Sequence, residues 1–129
     1  MRSRRPEDVL SDEVRVALGT LPGVIVMINR VTYGTRKGAQ NVELFGLGKG
    51  TPDLIVIVCG VLLGLELKTP VGRQSEDQKR VEAAWTEAGA YYRLARSVED
   101  ARARVAEVVT LDPWASRHRE ALLAALERE

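Results

Sequence analysis

Three residues near the middle of the chain have the types and spacing that phosphoryl chemistry needs: Asp53, Glu66 and Lys68. Asp53 opens an apolar run, Asp53 to Val58, and Glu66 lies near the end of a second, Val61 to Leu67. Cys59-Gly60 separates the two runs. If both are strands folded back at that point, a symmetric turn sets Val58 opposite Val61, and counting outward sets Asp53 opposite Glu66. Directly opposed residues of an antiparallel pair have Cβ atoms about 4.5–5.5 Å apart on one face. Lys68, two residues beyond Glu66, shares that face, while Leu65 and Leu67 point the other way. Opposed carboxylates repel, so a sheet selected for stability alone avoids them. A divalent cation removes the objection. Mg²⁺ takes one or two carboxylates together with water and phosphate oxygens, Mn²⁺ is the expected substitute, and the Leu67 backbone carbonyl is a further candidate ligand. A lysine beside such an ion holds or activates a water and offsets charge on a phosphate, an arrangement suited to phosphodiester hydrolysis.

The surrounding residues carry a resemblance. Gly48-Lys49-Gly50-Thr51-Pro52-Asp53 followed by Glu66-Leu67-Lys68 resembles the PD-(D/E)XK nuclease motif. With Ser75-Glu76-Asp77-Gln78 added, the pattern is similar to the VRR-NUC branch of that superfamily, over about residues 11–100. The resemblance implies a restriction-endonuclease-like core. It implies that Glu13 on the first helix is a further metal ligand, that Gln78 helps Lys68 position the attacking water, and that Arg30 matches an arginine at the end of the first strand. It also implies a homodimer acting on branched DNA, as stand-alone bacterial and phage members do, and hence a cytoplasmic setting in a bacterial or phage-infected cell. The Val-Arg-Arg triplet of the family name is absent, and residues 111–129 lie beyond the match.

Several of these residues have a plainer explanation beside the functional one. Asp12 and Glu13 in a first helical turn favour the helix dipole whatever the function. Ser75 and Gln78 have the spacing of a capping box. Gly46, Gly48 and Gly50 lack the phosphate-loop pattern and read as a turn that lets a DNA backbone approach. Arg30, Arg36, Lys37, Lys49 and Arg73 fall in loops flanking the site, where each alone suits solubility and the group suits phosphate contact. Trp85 and Trp114 read as core or interface residues. Of Tyr91 and Tyr92, at most one faces the core. His118 stands alone in a polar stretch.

The elements that must position this set can be read from the apolar pattern. Residues 1–10 read as a loose, basic lead-in. A helix starts at Ser11-Asp12-Glu13, carries Val14, Leu18 and Leu21 on one side, and stops at Pro22-Gly23. Val24–Ile28 reads as a buried strand and Val42–Phe45 as a short one. The central hairpin follows, then a helix from about Ser75 to Ala88, a strand at Ala90–Leu94, a helix capped by Ser97 and running to Val109, and a last amphipathic helix over 114–127. The order predicts an α/β fold, a small mixed β-sheet whose central hairpin is flanked by helices. The nuclease domain is expected over 11–110, with a helical extension at 111–129 whose Leu122, Leu123 and Leu126 are a candidate dimer interface.

Composition leaves room for this reading. The 129 residues suffice for one domain. The charges nearly cancel, at 19 basic and 18 acidic residues, so any attraction to nucleic acid is local. One cysteine and one histidine exclude a structural zinc site and an internal disulfide. No apolar run reaches membrane-spanning length, and the basic N-terminus has no apolar stretch behind it to make a secretory signal. The leading expectation is a Mg²⁺- or Mn²⁺-dependent endonuclease on branched DNA such as four-way junctions. The alternatives are a non-catalytic nucleic-acid-binding module and a small restriction-type endonuclease.

Overall fold

The central hairpin closes on Cys59 and Gly60, both with positive φ, 49° and 87°. Two successive residues in that region make the tight turn whose twist matches that of the strands it joins. A computed structural model describes residues 5–29, 50–115 and 117–128. In chain order the elements are α1 (Pro6–Gly19), β1 (Val24–Ile28), β2 (Leu54–Val58), β3 (Val61–Leu67), α2 (Glu76–Glu87), β4 (Tyr91–Ala95), α3 (Val98–Leu111) and α4 (Arg119–Glu127). The described strands form one sheet in the order β1-β2-β3-β4. β1 and β3 each run antiparallel to β2, and β4 is parallel to β3, so the sheet is mixed. The hairpin register runs from Val58 opposite Val61 to Leu54 opposite Leu65, as the symmetric turn requires.

Strand periodicity divides the sheet into two unlike faces. One carries Leu54, Val56, Val58, Leu63, Leu65 and Leu67, all buried. Val14 and Leu18 of α1 and Ala101, Val105, Val108 and Val109 of α3 close over it and form the core with them. The other face carries Gly64 and Glu66 of β3 and Tyr92 of β4, beneath α2. None of the residues of α2 is buried, although its apolar positions recur at helical spacing. α2 reaches the sheet through Trp85, whose ring stands edge-on to Tyr92 with centroids 6.1 Å apart.

Several expectations change. α1 begins at Pro6, so residues 6–10 are helical and not a lead-in. Proline at the first helical position has its φ preset and lacks only an N–H that the helix leaves unpaired there, while Glu7 and Asp8 occupy the first turn. The last helix begins at Arg119, five residues later than expected. On its apolar side Leu122 is buried, and Leu123 and Leu126, partly buried, pack against the same core. Trp114, expected in core or interface, is 84% exposed and so lies outside the core. Residues 1–4 and the expected strand Val42–Phe45 lie outside the described residues.

Candidate active site

The open end of the hairpin brings Asp53, Glu66 and Lys68 together but gives the two acids unlike surroundings. Asp53 lies one residue before β2, next outward from the Leu54–Leu65 pair. Its Oδ2 accepts a hydrogen bond of 2.7 Å from the Leu67 backbone N–H. Asn29, just past β1, holds the same segment twice. Its side-chain amide donates to the Pro52 carbonyl at 3.1 Å, and its backbone N–H donates to the Asp53 carbonyl at 3.0 Å. Asp53 faces a pocket of about 190 Å³ that it lines with Leu67, Asn29 and, from α1, Glu7, Asp8 and Ser11. The Asp53 carboxyl is held above the usual carboxylate range, first because surrounding protein strips water from it. The charges of Glu66 and Glu7 push the same way, and the Leu67 hydrogen bond and the Lys68 charge oppose them.

Glu66 is completely buried, the only buried charged side chain among the described residues. Its Oε1 accepts from the Tyr92 hydroxyl at 2.7 Å and from the Gln74 amide at 3.3 Å. Its Oε2 is also buried, and no described group donates to it. The acids therefore do not stand side by side on one face as expected. Asp53 precedes the regular ladder and looks toward α1, while Glu66 lies under α2. They still feel each other's charge.

Lys68 follows β3 immediately, half-buried, with its backbone N–H bonded to the Ala95 carbonyl at 3.1 Å. The loop after it is tied down by Arg96, whose guanidinium donates to the carbonyls of Thr69 at 2.6 Å and Gly72 at 2.8 Å. Arg73 is exposed on the same loop. Arg30, Arg36, Lys37 and Lys49 lie outside the described residues.

Two of the candidate residues are placed elsewhere. Glu13 is exposed. On a helix, Glu7, Leu10, Ser11, Val14 and Leu18 fall on one stripe; Glu13 lies six positions, or roughly 240°, from Glu7 and so on another side. The α1 acids that reach the pocket are Glu7 and Asp8. Gln78 closes a capping box: it takes the Ser75 backbone N–H on its side-chain oxygen at 2.8 Å, and its own N–H donates to Ser75 Oγ at 3.1 Å. The glutamine that touches Glu66 is Gln74, which also donates to Glu82 at 3.0 Å. Gly50 has φ +87°, and a Cβ there would lie 2.4 Å from the Asp77 carbonyl oxygen. The backbone that approaches this glycine closely is that of α2, and Gly46 and Gly48 lie outside the described residues.

Sequence reasoning missed Glu7, Asn29, Gln74 and Tyr92. Pro6 was a signal for the first, since a helix started there turns Glu7 toward the strands. Tyr92 was reachable only through the β3–β4 register, which sets Gly64 beside Tyr92 and Glu66 beside Leu94.

No three His, Cys, Asp or Glu side chains among the described residues converge to cage a cation by themselves. A hard divalent ion does not need that, because water and phosphate oxygens complete its shell. The donor set fits such an ion: Asp53, the Leu67 carbonyl, and the buried, unpartnered Oε2 of Glu66. An anionic oxygen without a partner in low dielectric is strongly disfavoured, and a cation reaching it relieves that cost.

No family model matches the chain, and no curated protein matches it. Solved structures do. One described as "VRR_NUC domain" superposes with a TM-score of 0.51 at 20% identity, over 81% of this chain and 95% of its own. Another, described as "VRR_NUC domain protein", gives 0.59 at 14% identity, over 85% and 93%. At these identities the likeness is one of fold. The mixed four-stranded sheet flanked by helices is the fold of those VRR_NUC domains, and this chain spans nearly all of each. No described helix is long and apolar enough to cross a membrane.

Proposed function

We propose that this chain is a VRR-NUC nuclease that hydrolyses DNA phosphodiester bonds with Mg²⁺ or Mn²⁺ and selects branched DNA such as four-way junctions. The observation that carries the reading is the bare Oε2 of buried Glu66, set at one hairpin end with Asp53 and Lys68 on a fold shared with VRR_NUC domains. Asp53, Glu66 and the Leu67 carbonyl would hold the ion, with Glu7 contributing from α1 in the part expected of Glu13. When bound, such an ion polarises a phosphoryl oxygen and acidifies water.

The chain's own groups do the rest. Leu67 N–H fixes one Asp53 oxygen, which leaves the other toward the pocket. Lys68 offsets negative charge on the phosphate and steadies the attacking water. Arg73, with Arg30, Arg36, Lys37 and Lys49, supplies phosphate contacts that set register without reading sequence. Cutting two strands symmetrically needs two sites, and a homodimer provides them. Leu122 of α4 is used within the chain, which leaves the partly exposed Leu123 and Leu126 of the expected interface.

The test is cleavage of linear, flapped and four-way DNA with Mg²⁺, Mn²⁺ or EDTA, beside Asp53→Ala and Lys68→Ala. Metal-dependent cutting of the branched substrates, lost in both variants, is the expected result. Binding without cleavage under every metal would make the chain a nucleic-acid-binding module. Cutting at a fixed short sequence in linear duplex would make it a restriction-type enzyme. Cleavage that survives Asp53→Ala would sink the site assignment.

A further inference from the structure

The structure assigns Tyr92 and Gln74 a positioning role: together they occupy Oε1 of Glu66 and leave Oε2 as the atom that meets the cation. The inference rests on the metal-dependent reading above.

Glu66 and Tyr92 project from the same face of the adjacent parallel strands β3 and β4. Both are buried. The Tyr92 hydroxyl lies 2.7 Å from Glu66 Oε1 and 3.0 Å from the Gly50 carbonyl oxygen. One proton thus faces two acceptors, and the anionic one, at the shorter distance, takes the stronger share. Because Gly50 leads into Pro52-Asp53, the same hydroxyl links the two segments that carry the acids. The phenol ring is buried, and Trp85 stands edge-on to it at 6.1 Å and 89°.

Gln74 acts from the other side. Its amide nitrogen has two hydrogens, one directed to Glu66 Oε1 at 3.3 Å and one to Glu82 at 3.0 Å. Oε1 therefore has two donors, while Oε2 has none among the described groups. A carboxylate free to rotate would share its donors between both oxygens. Here the donors pin it, and pinned groups that hold a ligand in place commonly contribute about 10–100-fold to metal affinity.

The experiment measures Mn²⁺ binding without DNA, by titration calorimetry and by loss of the free-ion paramagnetic resonance signal, on the whole chain. Tyr92→Phe keeps the ring against Trp85 and removes only the hydroxyl. Gln74→Leu removes the second donor, and serves alone should Tyr92→Phe not fold. Each variant is expected to melt within a few degrees of the parent and to bind Mn²⁺ about 10–100-fold more weakly. Saturating Mn²⁺ restores the cleavage rate, so the defect lies in holding the ion and not in the fold. Unchanged or tighter Mn²⁺ binding in the folded variants overturns the inference. Asp53→Ala separates the two failures. If it weakens Mn²⁺ binding while Tyr92→Phe and Gln74→Leu do not, only the positioning role falls. If the parent chain binds no Mn²⁺, the metal-dependent reading falls and takes this one with it.

Discussion

Glu107 and Glu66 show how differently the two faces of the sheet treat a negative charge. Glu107, on α3, sits between two arginines: Arg93 of β4 at 2.5 Å and Arg104 at 2.8 Å. The Arg93 hydrogen bond, ahead of the opposing effect of burial, holds its carboxyl below the usual range. Glu66, on the α2 face, is more deeply buried and receives only neutral donors. The α3 side is a closed aliphatic layer whose charges at its edge are matched. The α2 side has a glycine, a tyrosine, a loosely seated helix and an unmatched acid. Burial is concentrated on one face, and the unpartnered acid lies on the other.

The strongest way to break that division is to damage the closed side and look for an effect on the α2 side. Leu122 of α4 is fully buried against the core beside α3. Leu122→Ala should cost about 2–5 kcal/mol, the range for a buried leucine truncated without collapse of the site. Urea unfolding would measure it. Mn²⁺ affinity at low temperature, where the variant is still folded, should stay at the parent value. If Leu122 were instead a dimer contact, the variant would shift the dimer dissociation constant and leave monomer stability unmoved.

Leu122 also marks the limit of what the sequence discloses. An amphipathic helix is visible from its period, but the period says only that one side is covered, not whether α3 or a second copy covers it. β1, β2 and β3 are legible because short apolar runs between turn signals have few alternatives. The hairpin register follows from turn symmetry, and with it the placing of Asp53, Glu66 and Lys68 at one end of the hairpin. Asp53's turn toward α1 does not follow, since it depends on Asn29 and on the Leu67 N–H, contacts 24 and 14 positions away. Gln78 and Gln74 cannot be told apart from spacing alone. The capping box claims the first, and only the fold brings the second to Glu66.

A smaller effect tests the α2 face directly. At Gly64 an added Cβ would lie 2.4 Å from Pro52 Cγ and 2.8 Å from Trp85 Cζ3. Pro52 precedes Asp53, and Trp85 braces Tyr92. Gly64→Ala must displace one of them, and overpacking of this kind costs about 1–3 kcal/mol. Unlike Leu122→Ala, it should weaken Mn²⁺ binding as well as stability. A variant as stable and as tight for Mn²⁺ as the parent would show that the α2 face is too loose for this glycine to matter.

The smallest expected effect has opposite signs at two acids. Glu107 titrates lower in the folded chain than in the unfolded one. Its contribution is therefore present above the unfolded carboxylate value, near ~4.3, and is lost as pH falls through the lower folded value. Asp53 titrates higher when folded, chiefly through loss of water around it. Its contribution is present below the unfolded value, near ~3.9, and is lost as pH rises through the folded one, so at neutral pH its charge is a strain on the fold. In metal-free buffer, Glu107→Gln should then lower stability at pH 7 and Asp53→Asn should raise it, each by less than about 1 kcal/mol because both side chains are partly in water. Both differences should shrink as the pH is taken into the acid range. Urea midpoints at pH 7 and in mild acid would show this. Adding Mn²⁺ at pH 7 supplies the sharper comparison: a ligand stabilises the state that binds it, so the ion should raise the midpoint of the parent and of Glu107→Gln while raising that of Asp53→Asn less. Equal gains in all three would mean that Asp53, strained or not, does not hold the ion.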